Sequence, residues 1–245
     1  MGNESERVRR VYWDTFPKKW DRPEKGQFPT GSRVYKGYQG SGKSLSMVKY
    51  ALDVSKAYPN CQVFSNMIIK GIDNFHLINN DNDLKMALSL KNGRDGVLVL
   101  LDEAHLYFGK KSGIPLDVLT AISQQRKDRR RLVFSSQIWE ELDISLRKQV
   151  KEIVSCSCHF GFLQINTISD GETLSYDKML GEYVAKKIRT EIFKHNTELY
   201  NSYDTYQKII TNQEYSSLAV PSRPTAVISN QQNTSGFFSF RKSKS

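Results

Sequence analysis

The feature that most restricts the fold of this chain is a stretch of eight residues that fits the phosphate-binding P-loop pattern G-x-x-x-x-G-K-[ST]. Its sequence is Gly37-Tyr38-Gln39-Gly40-Ser41-Gly42-Lys43-Ser44. Residues 33–36 before it have the pattern of a short strand, and residues 45–52 after it have the pattern of a helix. A strand, a glycine-rich loop and a helix in this order indicate an α/β fold with a nucleotide at the loop.

Each residue type in the loop has a chemical reason. Glycines let backbone N–H groups turn inward and approach phosphates closely. We expect Lys43 to reach the β- and γ-phosphates and the Ser44 hydroxyl to take a Mg²⁺ position, and the helix N-terminus favours the same anion. The predicted contacts to ATP are Gly37, Gly40, Ser41, Gly42, Lys43 and Ser44.

A second motif is an apolar run followed by two carboxylates. Residues 97–101 are continuously apolar, which is typical of a strand buried on both faces of a parallel sheet. Asp102 and Glu103 follow at the carboxyl end, where open α/β sheets bind their ligands. We predict that Asp102 is the Walker B acid that holds Mg²⁺ and that Glu103 is the general base that activates water.

A polar residue stands at the tip of the next predicted strand. Residues 132–136 have a strand pattern, and Gln137 follows them. We expect this strand to neighbour the Walker B strand, where the Gln137 amide could sense the γ-phosphate or orient the attacking water. The alternative is that Gln137 simply caps the strand.

A basic cluster precedes that strand and has three interpretations. Its sequence is Arg126-Lys127-Asp128-Arg129-Arg130-Arg131. It could be a solvated helix end, a contact to nucleic-acid backbone, or the source of an arginine finger for the ATP of an adjacent subunit. Arg126 and Arg129 are the first candidates for the finger, and Arg147 is the next.

Composition restricts the partners and the compartment. The 245 residues carry a formal charge of +10, which favours a polyanionic partner, although a basic balance also serves solubility. No apolar stretch approaches the ~18 residues that span a bilayer, and no secretory signal is visible at the N-terminus. We therefore expect a soluble, intracellular protein.

The three cysteines are too few and too unevenly placed for a disulfide framework, which favours a reducing compartment. Cys156-Ser157-Cys158-His159 contains three side chains of types that bind metals. Zinc motifs usually separate the first cysteines by two or more residues, and no second ligand pair follows. Alternation over residues 153–160 instead indicates a strand with half-buried cysteines.

The chain divides into four predicted parts. These are an N-terminal arm over 1–30, a P-loop ATPase core over 31–168, a helical extension over 169–215, and a disordered basic tail over 216–245. In the core we expect strands at 33–37, 62–69, 97–101 and 132–136 and a hairpin over 152–168. The aromatic residues of the arm are expected to pin it onto the core, with a neighbouring subunit as the alternative: Trp13, Phe16, Trp20 and Phe28.

Several of these segments together resemble the zonula occludens toxin-like family, over roughly residues 31–160. They are residues 101–108, Gln125-Arg126, residues 134–137 and residues 142–147. The family includes the assembly ATPases of filamentous phages and lies in the HerA–FtsK superfamily of DNA-pumping ATPases, which also holds viral packaging ATPases. Asp102-Glu103-Ala104-His105 also spells the box of the DEAH helicases, but no second motor domain follows.

The resemblance implies an α/β fold of the additional-strand, RecA-like type, with one strand between the P-loop strand and the Walker B strand. It also implies a homo-hexameric ring with ATP at subunit interfaces and nucleic acid through the pore. We expect this partner to be double-stranded DNA that is gripped by its phosphates independently of sequence. The functional residues carry over to Lys43, Ser44, Asp102, Glu103 and Gln137, and the arginine finger only loosely to Arg126 or Arg129.

Phage assembly members carry a membrane-spanning segment after the ATPase domain, and this chain shows none. That difference favours an ATP-driven motor that loads DNA into a capsid. The alternative is a virion assembly and export ATPase of the filamentous-phage type that acts with a membrane protein. Capsid and membrane proteins are accordingly the further partners that we expect, and the resemblance implies a location in the host cytoplasm or in association with a virion.

Overall fold

The computed structural model describes residues 27–109, 113–179 and 181–203. Eight strands form one sheet in the order β10-β7-β6-β1-β5-β4-β2-β3, and β8 pairs with β9 in a separate hairpin. The strands are β1 Gly31–Lys36, β2 Gln62–Ser65, β3 Phe75–Leu77, β4 Val97–Leu101, β5 Arg130–Ser136, β6 Val150–His159, β7 Leu163–Asp170, β8 Ser175–Asp177, β9 Glu182–Val184 and β10 Lys187–Lys194.

Helices cover both faces of the sheet. They are α1 Lys43–Ala57, α2 Asp81–Ser89, α3 His105–Phe108, α4 Leu116–Ser123, α5 Ile144–Arg147 and α6 Thr197–Asn201. Short 3₁₀ turns lie at Trp139–Glu141 and Gly171–Thr173. α3 begins at His105, two residues after Glu103.

The strand order confirms the additional-strand prediction. β5 lies between β1 and β4 and pairs in parallel with both. The carboxyl ends of β1, β4 and β5 therefore meet at one edge of the sheet, which brings the phosphate loop, the two carboxylates and Gln137 to the same place. The predicted strands all exist, although β2 ends at Ser65 instead of residue 69.

Two apolar cores lie on opposite faces of the sheet. On one face α1 contributes Met47, Val48, Ala51 and Val54, the stripe that a helix at 3.6 residues per turn presents to one side. On the other face residues of β4 and β5 pack against α2 and α4. All five β4 residues are buried, as a strand covered on both faces requires.

Phe28 confirms the predicted pinning for the one aromatic residue of the arm that the structure describes. It is buried against Tyr58 at a ring-centroid distance of 5.2 Å. A Cβ on Gly96, which has φ +76°, would lie 2.1 Å from the Phe28 ring, so this glycine makes room for it. Trp13, Phe16 and Trp20, like the tail over 216–245, lie outside the described residues.

The prediction of helix after the core is wrong over much of its length. β8, β9 and β10 occupy that segment, and the short helix α6 follows them. β10 pairs antiparallel with β7, so the sheet continues beyond residue 168. The physical reason is that β7 offers an open row of N–H and C=O groups, and pairing with β10 satisfies them despite the polar composition of β10.

Candidate nucleotide-binding site

The phosphate loop joins β1 to α1 in the conformation that its glycines permit. Gly37 and Gly42 have φ values of +152° and +82°, where other residues are disfavoured. A Cβ on Gly42 would lie 2.0 Å from Gln164 Oε1, so a side chain there is excluded. No described side chain caps α1 at Gly42, which leaves the first N–H groups of the helix available to an anion.

Lys43 is folded into the loop. Its side chain is buried, and Nζ donates hydrogen bonds to the Gly37 and Tyr38 carbonyl oxygens at 3.1 and 3.0 Å. These bonds hold the ammonium group on the inner side of the loop. A bound triphosphate would replace the two carbonyl oxygens as its hydrogen-bond partner.

Ser44 and Asp102 meet across the site as the sequence predicts. Ser44 Oγ donates to Asp102 Oδ2 at 2.8 Å. A hydroxyl and a carboxylate fit Mg²⁺, which usually takes one or two protein oxygens and completes its shell with phosphate and water. Within the described ranges, no group of three or more His, Cys, Asp and Glu side chains is arranged to hold a metal, so the fit depends on the nucleotide.

Two residues that sequence reasoning did not single out hold Asp102 in position. Asn66, which follows β2, donates to the Asp102 carbonyl at 2.9 Å and accepts from the Asp102 N–H at 2.8 Å. Ser135 in β5 donates to Asp102 Oδ1 and accepts from the Glu103 N–H at 2.9 Å. A polar residue at the carboxyl end of a strand beside the Walker B strand is the signal that would have found Asn66.

Glu103 has a strained backbone, and its two carboxylate oxygens have different contacts. Its φ of +52° is disfavoured for a residue with a Cβ, and such outliers cluster at functional sites. Gln137 Nε2 donates to Glu103 Oε1 at 2.7 Å. Oε2 is buried, lies 3.3 Å from His105 Nδ1 and accepts no hydrogen bond from the described residues. The structure therefore brings Glu103 and Gln137 together and leaves one oxygen able to accept a proton.

The basic cluster lies at the opposite end of the sheet. Arg131 in β5 is level with Gly31, and Ser136 is level with Lys36, so about 17 Å of strand separates the cluster from the phosphate loop. Arg126 is exposed and Arg129 is half-buried. Neither contacts the phosphate loop of its own chain.

The remaining arginines of the cluster serve the core. Arg130 donates to the carbonyl oxygens of Ala121 and Leu90, and Arg131 donates to Thr30 O and Glu152. Arg147, the further candidate for an arginine finger, ends the four-residue helix α5, and its Nε is buried without a hydrogen bond to the described residues.

A chain of polar residues that includes the buried Gln164 of β7 and the half-buried His195 after β10 supports the phosphate loop. Gln164 has no exposed surface, and its Nε2 donates to Ser41 O and Asn166 Oδ1, each at 2.9 Å. His195 Nε2 lies 3.1 Å from Gln164 Oε1, and His195 Nδ1 lies 2.7 Å from the Tyr200 hydroxyl. Burial lowers the pKa of His195, against a smaller opposite effect of the Gly161 backbone.

Sequence reasoning missed this chain of contacts. β7 alternates buried and half-buried residues, and its buried positions include Gln164, Asn166 and Ile168. Two amides among the inward positions of a strand are the available signal, because buried polar groups need partners.

Comparison with solved structures supports the fold, whereas comparisons of sequence found no match. No protein-family model matches the chain, and no curated protein matches it in sequence. The crystal structure of the N-terminal domain of zonular occludens toxin from Neisseria meningitidis is similar, with a TM-score of 0.50 and 19% identity. The match covers 71% of this chain and 98% of that domain.

A weaker likeness is to the genome packaging NTPase B204 from Sulfolobus turreted icosahedral virus 2 in complex with AMP. Its TM-score is 0.46 at 16% identity, over 64% of this chain and 96% of that one. The strand order and the likeness to the zonular occludens toxin N-terminal domain together show an α/β P-loop NTPase fold with a mostly parallel central sheet.

Proposed function

We propose that this chain is a Mg²⁺-dependent ATPase that moves DNA and serves as the packaging motor of a virus or another mobile element. The observation that supports ATPase activity is that five side chains converge at one edge of the sheet. Lys43 lies in the phosphate loop, Ser44 is hydrogen-bonded to Asp102, and Gln137 is hydrogen-bonded to Glu103. DNA as the partner is supported by the formal charge of +10 and by the family resemblance of residues 31–160.

The chemistry follows from these contacts. Lys43 and the loop N–H groups would hold the phosphates, and Gln137 would orient the attacking water beside Glu103. Glu103 Oε2, which accepts no hydrogen bond from the described residues, would take the proton of that water. Mg²⁺ held by Ser44 and Asp102 would neutralise charge on the phosphates.

Among the described residues of a single chain, no arginine contacts the nucleotide-binding site, so the arginine finger is missing there. We propose that a neighbouring subunit of a homo-hexameric ring supplies it, with Arg126 and Arg129 as the candidates. The reason is that both lie at the far end of their own sheet and so could serve only the ATP of another chain.

ATP hydrolysis by the purified protein, alone and with double- or single-stranded DNA, tests the proposal. We expect DNA to raise the rate in the wild type and Lys43→Ala to abolish nucleotide binding and hydrolysis. Glu103→Gln should keep nucleotide binding but lose about 10² to 10⁴ in kcat, because the amide cannot accept the proton. Melting temperatures of the variants control for folding.

Two results would contradict the proposal. Hydrolysis that persists in both variants would exclude this site as the catalytic one. Hydrolysis that both forms of DNA leave unchanged would exclude a DNA motor and favour an assembly ATPase of the filamentous-phage type. Among the described residues, no helix has the length and apolar character to cross a membrane, so such an ATPase would be tested with a candidate membrane partner.

A further inference from the structure

A cavity of about 490 Å³ separates helix α1 from the segment at the end of β10 and α6. Three separate parts of the chain form it: α1, the loop at residues 70–71, and residues 193–202. The charged residues of its lining are Lys49, Lys56, Lys70, Lys194, Asp53 and Glu198. Lysines therefore outnumber acids, and the cavity is a basic groove.

Three of the four lysines are available to a ligand. Lys49 is paired with Asp53 at 2.6 Å and lies over the Phe193 ring. Lys56, Lys70 and Lys194 are exposed, and within the described residues none of their ammonium groups has a hydrogen bond or an ion pair. These three positive charges therefore lie around one groove without a counter-charge. Their mutual repulsion is unfavourable, and an anionic ligand would relieve it.

The dimensions fit a chain of phosphates better than one phosphate group. Lys49 and Lys56 lie on one stripe of α1 with Leu52 and Asp53, and seven residues of helix span about 10 Å. One strand of duplex DNA carries about three phosphates over that length of its axis. Lys70 and Lys194 extend the positive surface across the groove from two other chain segments.

Both walls of the groove also reach the nucleotide site. α1 begins at Lys43 in the phosphate loop. The opposite wall includes Lys194 and Asn196, and His195 between them hydrogen-bonds Gln164, which in turn donates to Ser41 O. A ligand in the groove would therefore contact the two elements that hold the phosphate loop.

We propose that this groove binds the sugar–phosphate backbone of nucleic acid through Lys56, Lys70 and Lys194. The inference rests on the proposed function in taking DNA as the partner, and it adds the surface that contacts it. Ammonium groups on flexible stems contact phosphates and not base edges, so the binding should be independent of sequence.

The test compares two triple variants of the full chain that lose the same charge. The first is Lys56→Gln with Lys70→Gln and Lys194→Gln. The control is Lys148→Gln with Lys178→Gln and Lys186→Gln, which are exposed and lie outside both the groove and the basic cluster at residues 126–131. Fluorescence anisotropy with a labelled 30-base-pair duplex of arbitrary sequence, measured over a series of salt concentrations, gives the dissociation constant and its salt dependence.

We expect the groove variant to lower the slope of log K against log salt by about 3, because each lost phosphate contact removes about 0.9. The control should keep the wild-type slope. Equal loss in both variants would show that only net charge matters and would overturn the inference. So would tighter competition by polyglutamate than by unlabelled duplex, which would assign the groove to an acidic polypeptide.

The wild type separates the two levels of the proposal. If it hydrolyses ATP in response to DNA and the groove variant binds DNA as tightly as the wild type, the proposed DNA-moving ATPase is supported and the proposed DNA-binding groove is disproved. If the wild type does not bind DNA at all, the DNA-moving function and the groove fail together.

Discussion

Gln164 contacts the phosphate loop from 123 positions away in the sequence. Its side-chain amide both donates to Ser41 O and accepts from His195, so one buried residue joins the loop to the segment that follows β10. The N–H of this buried amide is required, because a carboxylate of the same shape would place an oxygen against the carbonyl oxygen of Ser41.

Gln164→Glu is expected to weaken ATP binding about tenfold, since loss of one buried hydrogen bond costs roughly 1–3 kcal/mol. The carboxylate would also stand close to bound phosphates. Titration with a fluorescent ATP analogue measures the dissociation constant. Gln62→Glu makes the same chemical change on β2, where Gln62 contacts His76, and should leave ATP binding unchanged. Equal affinities in the wild type and Gln164→Glu would disprove a positioning role.

A buried ionic cluster joins β1, β5 and β6 at the end of the sheet away from the phosphate loop. Glu152 in β6 accepts from Arg33 Nε at 2.6 Å and from Arg131 in β5. Tyr50 of α1 covers the Arg33 guanidinium at 4.4 Å. Burial alone would raise the pKa of Glu152, but Arg131 and Arg33 outweigh it and lower the pKa from 4.5 to about 2.

Glu152→Gln should lower the free energy of unfolding at pH 7 by about 3–5 kcal/mol, because it leaves two buried guanidinium groups without a counter-charge. In the wild type the carboxylate is more acidic when folded, so its contribution is complete above about pH 4.5 and is lost as pH falls towards 2. Urea unfolding over a pH series measures both effects. Glu141→Gln at an exposed position should change stability by less than about 0.5 kcal/mol. A pH dependence that is the same in wild type and Glu152→Gln would contradict this account.

The edge strand β10 shows where sequence patterns misled at the level of elements. Its sequence, Lys-Ile-Arg-Thr-Glu-Ile-Phe-Lys, is mostly polar and indicated a solvated helix. Ile188 and Phe193 nevertheless pack against the core on the α1 side, and pairing with β7 supplies the backbone partners. Lysines at both ends of such a strand are typical of a sheet edge that must not pair further.

Burial of the cysteines is a property of the whole packed molecule. Cys61 and Cys156 are buried, and burial raises the pKa of each thiol to about 12. Cys158 on the same strand as Cys156 is half-buried. At pH 8 only about one in 10⁴ of the buried thiols would be in the reactive thiolate form even if the reagent reached them.

A chromogenic thiol reagent at pH 8 should therefore modify one cysteine of the native protein and all three after denaturation. Cys158→Ser should remove the fast reaction and leave the slow ones, as the matched variant. Three thiols reacting at one rate in the native protein would show that the core on the α1 side is open.

Sequence patterns predicted the chemistry of the site because that chemistry is local. Lys43 and Ser44 belong to one continuous loop, and Asp102 and Glu103 end one apolar strand, so spacing along the chain was enough to identify them. The position of β5 between β1 and β4 followed from the resemblance and was confirmed. The roles of all these site residues, and of Gln137 and the arginines, stay predictions.

The remaining features depend on residues that meet only after the chain has folded. Asn66 and Ser135 around Asp102, Gln164 behind the phosphate loop, and the lysines of the basic groove come from distant segments. Neighbours along the chain determine a local conformation, whereas a buried polar group takes whichever partner the sheet brings within hydrogen-bonding distance. Strand order and register therefore set these contacts, and no pattern along a single segment carries that information.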